Sequence, residues 1–116
     1  ITCNISNGRV THLSLEPLRL GGTLTPFIGN LTFLISLNLF SFHGEFPQEV
    51  GRLLYLQYLN FSVNNFGGSI PSDISHCTKL RVLTASLNNL IGTIPAWIGN
   101  LSSLSHVSFG LNNFSR

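Results

Sequence analysis

One segment of this chain returns at a near-constant interval, and that interval limits what the chain can fold into. Leu83–Leu104 reads L-x-A-x-x-N-x-L-x-G-x-I-P-x-x-I-G-N-L-x-x-L. The pattern fits again from Leu59, from Leu13 and, in shortened form, from Leu37. A fifth copy opens at Val107 and is cut short at Arg116. The first apolar residues of the copies, Leu13, Leu37, Leu59, Leu83 and Val107, are separated by 24, 22, 24 and 24 positions. A unit of this size cannot bury an apolar face alone, so copies must stack, each covering the core of the next. The period therefore predicts a solenoid with one coil per copy.

Each copy begins with an alternating stretch. Leu13/Leu15, Leu37/Leu39, Leu59/Phe61, Leu83/Ala85 and Val107/Phe109 are the inward pairs of short strands. Stacked at ~4.8 Å, these strands form one parallel sheet with no antiparallel hairpin within Val10–Arg116. An Asn follows in three copies, Asn64, Asn88 and Asn112, whose amides can satisfy buried turn backbone as a stacked ladder. Next come an apolar residue (Leu20, Phe66, Leu90, Phe114), a turn glycine (Gly22, Gly44, Gly68, Gly92) and an apolar-Pro pair, as in Ile94-Pro95. The last third, such as AWIGNLSSL, is too short for a long helix and predicts one or two 3₁₀ or α turns on the convex side. Two copies depart from the pattern. Leu18 stands where the first Asn belongs, and the second copy lacks two residues, the Asn among them. Phe42 there takes the following apolar slot, and the ladder is expected to run only from the third copy onward.

Charged residues make up 9 % of the 116-residue chain, and the formal charge of +2 is spread singly. Nucleic acid as a partner needs clustered Lys and Arg, so it is not expected. No apolar run nears the ~18 residues of a membrane span, and no membrane insertion is expected of this segment. The chain opens in mid-motif at Ile1 and stops in mid-repeat, so a fragment or short product of something longer is expected. Five N-x-S/T sequons, at Asn4, Asn30, Asn60, Asn100 and Asn113, together with scarce Lys favour the secretory route. Cys77 sits in the slot held by Leu31, Leu53 and Leu101 and reads as a buried thiol acting as a small hydrophobe. Cys3 precedes the repeats and reads as half of a capping disulfide. Three coils separate it from Cys77, so the two are not expected to pair. His12, His43, His76 and His106 are read as surface residues, with no metal site and no cofactor expected. Glu16, Glu45, Glu49 and Asp73 occupy differing repeat positions, so no catalytic carboxylate pair is implied. Kinase signatures are absent, and this segment is expected to have no enzymatic activity.

The assembled residues resemble the plant-specific extracellular leucine-rich repeat. The opening ITCN…NGRV is similar to the end of the N-terminal cap of plant receptor-like kinases. The segments SHCTKL and IPAWIGN are similar to the subfamily that contains innate-immune pattern receptors. The resemblance covers Val10–Arg116, about four and a half repeats, with residues 1–9 as the cap remnant. It implies a right-handed β/α superhelix, with a parallel sheet on the concave face and short 3₁₀ or α turns on the convex face. It also implies an extracellular or cell-surface location and a peptide, steroid or protein ligand bound together with a co-receptor ectodomain. A parent receptor's serine/threonine kinase would lie beyond Arg116.

Three functions follow as expectations. The first is a recognition module in the ectodomain of a plant receptor-like kinase or receptor-like protein, in defence or developmental signalling. The second is a secreted inhibitor of the polygalacturonase-inhibiting kind, against which the mostly neutral outward positions lean. The third is a spacer that binds nothing. On the concave face, alternation exposes three columns: His12, Ser36, Tyr58, Val82 and His106; then Ser14, Asn38, Asn60, Thr84 and Ser108; then Glu16, Phe40, Ser62, Ser86 and Gly110. Ligand contact is expected to centre on Tyr58, with Phe40, Asn38 and Val82 around it. Two alternatives stand beside that expectation. Phe40 could fold inward to fill the shortened coil, and a glycan on Asn60 would cover the patch.

Overall fold

The structure, a computed structural model, describes residues 2–6, 8–17 and 22–115. Leu18, Leu20 and Gly21 of the first repeat lie outside the described residues, as do Asn7 of the expected turn and the Cys3 side chain. Strands β1 (Thr2–Ser6), β2 (Arg9–Leu15), β4 (Ser36–Leu39), β6 (Tyr58–Asn60), β8 (Val82–Thr84) and β9 (His106–Ser108) form one sheet in that order. From β2 onward every pairing is parallel and register follows the repeat: Leu13, Leu37, Leu59, Leu83 and Val107 are successive partners. Pairing in register at this period fixes one coil per rung, the geometry of a solenoid. Ahead of the repeats, β1 pairs antiparallel with β2 and covers its outer edge. Sequence patterning did not anticipate that strand.

A second sheet, also not anticipated, stacks β3 (Gly22–Thr23), β5 (Phe42–Glu45) and β7 (Asn65–Gly67) in parallel. Gly44 within β5, Gly68 just after β7 and Gly92 at the matching place in the next coil take left-handed backbone, with φ of +84°, +70° and +85°. On the convex side the expected turns are 3₁₀ helices at Pro26–Asn30, Gln48–Arg52, Ser72–His76 and Ala96–Asn100. Pro supplies the extended entry φ before three of them. In the first, Pro26 stands one place later and Thr25 caps instead, its side chain accepting from Phe27 N.

The core runs the length of the stack, with Leu37, Leu59 and Leu83 wholly buried in its sheet wall. Behind them the second inward position alternates in size. Phe61 sits between Leu39 and Ala85, and Phe109 follows Ala85, and all four are buried. Phe61 packs on Phe46 with ring centroids 4.3 Å apart and edge-on against Phe66 at 5.7 Å. These aromatics fill the interior where the second coil is two residues short. Phe42 joins them, stacking on Phe66 at 6.2 Å. Phe40 does not fold inward; it is 43 % exposed, because Phe42 already fills that volume. The other departure is Val107, expected inward but 39 % exposed. It lies in the last strand of the sheet and is covered by β8 on one side only.

Candidate functional site: concave and lateral faces

The Asn residues that sequence reading placed in a ladder rigidify the turn that ends the concave strands. Asn88 Nδ2 donates to the carbonyls of Phe61 (2.9 Å) and Ala85 (3.0 Å), while its Oδ1 accepts from Phe66 N (3.0 Å). Asn64 repeats this against Leu39 O, Phe61 O and Phe42 N, and Asn112 against Ala85 O, Phe109 O and Leu90 N. Each amide thus ties its own turn to the coil before. The residue just before each Asn adopts left-handed backbone: Val63 at φ 58°, Leu87 at 59° and Leu111 at 58°. Ser41, in the coil that lacks its Asn, does the same at 63° and is followed at once by Phe42. The missing pair is therefore the Asn and its successor, and the bend itself is kept. A left-handed valine or leucine costs about 1–2 kcal/mol, which the amide bonds to two carbonyls and one N–H offset.

On the concave face the first two columns stand in the expected register; the third lies beyond the paired strand residues. Tyr58 is flanked along its column by Ser36 and Val82, and Asn38 is flanked by Ser14 and Asn60. Tyr58 is 38 % exposed, while Asn38 and Val82 are half-buried. Tyr58 and Phe40 do not form one aromatic patch. Four strand positions separate their columns, roughly 13 Å at ~3.3 Å per residue, so they stand at opposite margins of the face. Between them runs a polar strip held by its own hydrogen bonds. Thr84 Oγ1 donates to Asn60 Oδ1 at 2.7 Å, Ser62 N donates to the same oxygen at 3.1 Å, and Ser86 N donates to Ser62 Oγ at 3.0 Å. Ser86 and Ser108 hydroxyls also bond across the rungs. Such a strip can offer side-chain donors and acceptors to a partner while Tyr58 offers apolar area. Of the sequons, Asn4, Asn30, Asn100 and Asn113 are exposed and Asn60 is half-buried within the strip.

A second surface, missed by sequence reading, lies on the flank where the chain enters the strands. Arg9, Phe33, Tyr55 and Lys79 each stand four residues before an inward leucine and stack as a column. The Phe33 and Tyr55 rings lie nearly parallel, centroids 6.0 Å apart. The Arg9 guanidinium sits 4.2 Å over Phe33, and Lys79 Nζ sits 4.7 Å over Tyr55. With Thr11, Ile35 and Gln57 they line a hollow of about 230 Å³. The spacing of 24, 22 and 24 residues, the same as that of the strands, was the signal that could have revealed it.

Cys77 is wholly buried and free, its thiol 3.5 Å from Val50 O. Burial pushes its pKa from 9.0 up to about 12, so the reactive thiolate is suppressed at neutral pH. His12 and His106 lie in β2 and β9, with three strands between them. Among the described residues no group of three or more His, Cys, Asp or Glu could hold a metal ion. No described helix is long and apolar enough to cross a membrane.

The leucine rich repeat family model matches residues 55–77 and 79–101. The Arabidopsis thaliana LRR receptor-like serine/threonine-protein kinase EFR is 48 % identical over 59 residues, covering 49 % of this chain. The chain spans only 4–6 % of the length of this and two other A. thaliana receptor-like kinases. The crystal structure of the Arabidopsis receptor kinase HAESA with the peptide hormone IDA and the co-receptor SERK1 superposes with a TM-score of 0.85. That likeness has 32 % identity and covers 91 % of this chain and 18 % of that one. A plant ice-binding protein superposes equally well (TM-score 0.85, 26 % identity, 97 % of this chain and 37 % of that one), so shared coils alone do not assign a ligand. With its period, its in-register parallel coils and these likenesses, the chain folds as a leucine-rich-repeat solenoid, similar to short stretches of plant receptor-like kinase ectodomains.

Proposed function

We propose that this chain is an extracellular recognition module, part of the ectodomain of a plant receptor-like kinase or receptor-like protein. Its concave face contacts a peptide or protein ligand. The observation that carries this reading is the open concave sheet: a half-exposed Tyr58 beside Val82 and Asn38, and a pre-ordered polar strip reaching across to Phe40. An extended ligand laid over it meets apolar area at each margin and hydrogen-bonding groups between, which suits a peptide main chain. The HAESA complex, which holds a peptide hormone and a co-receptor, supports a similar pairing here, with a second leucine-rich-repeat ectodomain as co-receptor. A role in defence or development, and a kinase elsewhere in the parent protein, belong to the same reading. Leucine-rich-repeat coils present surfaces and carry no chemistry of their own, so no catalytic role is assigned to the segment.

The spacer reading has one observation in its favour: the Asn60 sequon lies within the face that a ligand would need. Peptide capture from apoplastic fluid by the immobilised chain tests the two. A peptide retained by the native chain and released at least tenfold more readily by Tyr58→Ala supports recognition. Retention indifferent to Tyr58→Ala and Val82→Glu would contradict it.

A further inference from the structure

We propose that the lateral column Arg9–Phe33–Tyr55–Lys79 is a second docking site, distinct from the concave face. Its occupant is an extended acidic peptide segment of a partner protein, with two carboxylates flanking one apolar side chain. Charge supplies the first argument. A cation stands at each end of the column, Arg81 continues the Thr11–Ile35–Gln57 row beside it, and no carboxylate lines the hollow. The acids Glu45, Glu49 and Asp73 border the hollows on another part of the molecule, among the 3₁₀ turns and the second sheet. An anionic partner is therefore drawn to this flank and repelled from that one.

Preorganisation supplies the second argument. Each cation rests on a ring face, which restrains a side chain that would otherwise lose rotamer freedom on binding. Phe33 and Tyr55 remain 40 % and 48 % exposed and line the hollow with Ile35; with their faces turned to each other and to the cations, it is their edges that are left to a partner. An aromatic edge carries partial positive charge, so rings and cations act in the same sense. Acidic polysaccharide fits less well, because sugars stack on ring faces and these faces are occupied by each other and by the cations.

Spacing then defines the peptide. Arg9 and Lys79 are three rungs apart, ~14 Å at ~4.8 Å per rung. In an extended chain rising ~3.3 Å per residue, positions i and i+4 are ~13 Å apart and share a face with i+2. The matching segment is acid-x-apolar-x-acid, laid across the coils with its central side chain in the hollow beside the stacked Phe33 and Tyr55 rings.

Fluorescence anisotropy with a labelled peptide bearing glutamates four residues apart and a phenylalanine midway, titrated with the full 116-residue chain, tests this. Lys79→Glu is expected to weaken binding about tenfold, as loss and reversal of one charge-assisted contact requires. A peptide with lysines in place of the glutamates is expected to bind an Arg9→Glu/Lys79→Glu chain in preference to the native one. Both positions are exposed, so the fold is retained, and circular dichroism checks it. Tyr58→Ala should leave this binding unchanged, which separates it from the concave-face reading. Any of four results overturns the proposal: no binding at millimolar chain, indifference to Lys79→Glu, equal binding of a peptide with adjacent glutamates, or equal binding of oligogalacturonate. Dimerisation abolished by Lys79→Glu would assign the flank to a second copy and overturn it as well.

Discussion

Asn88→Ala isolates what the amide ladder contributes. The side chain is 7 % exposed and makes three bonds of 3.0 Å or less. Its removal does not affect all three partners equally. Phe61 O still accepts from Asn64 Nδ2 at 2.9 Å, and Ala85 O from Asn112 Nδ2 at 2.9 Å. Phe66 N–H loses the acceptor it has in Asn88, and Phe66 is wholly buried. One stranded buried donor costs about 1–3 kcal/mol, and two further bonds to carbonyls that keep another donor add about 0.5 kcal/mol each. The expected loss is about 2–4 kcal/mol. Asn112→Ala likewise takes the acceptor from a buried residue, Leu90 N, but Asn112 itself is half-buried in the last coil, where Asn88 is buried. Water can enter the space it leaves and bond Leu90 N–H, and about 1 kcal/mol is expected. Urea unfolding followed by circular dichroism and by the single Trp97 gives both values. A cost for Asn88→Ala below about 0.5 kcal/mol, the level of an ordinary surface change, or one no larger than that of Asn112→Ala, would refute the reasoning.

Gly29, Gly51 and Gly99 share one repeat position, yet a Cβ on Gly51 would collide with Asp73 O while one on Gly99 meets nothing within 4 Å. Urea unfolding should therefore show Gly51→Ala losing about 1–3 kcal/mol and Gly99→Ala staying within about 0.5 kcal/mol. Val63, exposed and left-handed at φ 58°, should gain about 1 kcal/mol on replacement by glycine or asparagine, read as a higher urea midpoint. The Cys77 thiol should resist Ellman's reagent at pH 8 in the folded chain and react at once in urea. Because folding raises its pKa from 9.0 to about 12, the folded state holds the proton more tightly. The stability linked to this group is complete below pH 9 and is lost as pH rises toward 12. Cys77→Ala should remove that part of the alkaline loss.

The strands were legible because alternation at a fixed period leaves a single register in which every Leu13-equivalent faces inward. The Asn ladder was legible because a polar residue recurring just after a buried strand needs buried backbone to bond. The second sheet was not. Gly22–Thr23 and Asn65–Gly67 are too short and too poor in β-branched residues to signal strands, and they pair only because stacking has already aligned them. β1 was hidden for a related reason: Thr2–Ser6 carries no repeat and is ordered by the edge of β2. The lateral column went unseen because its members, Arg, Phe, Tyr and Lys, differ in type; only their spacing is shared. Tyr58 and Phe40 were both placed outward, but joining them into one patch overlooked the strand length between their columns.

Glycopeptide mass spectrometry of the plant-expressed protein tests the concave-face account most directly. Asn60 lies in the polar strip beside Tyr58's column, its Oδ1 engaged by Ser62 N and Thr84 Oγ1, whereas Asn4, Asn30, Asn100 and Asn113 are exposed elsewhere. A recognition face must stay bare, so the account predicts glycans at the exposed sequons and Asn60 predominantly unmodified. Full occupancy at Asn60 would lay a sugar across Asn38, Tyr58 and Thr84 and contradict it.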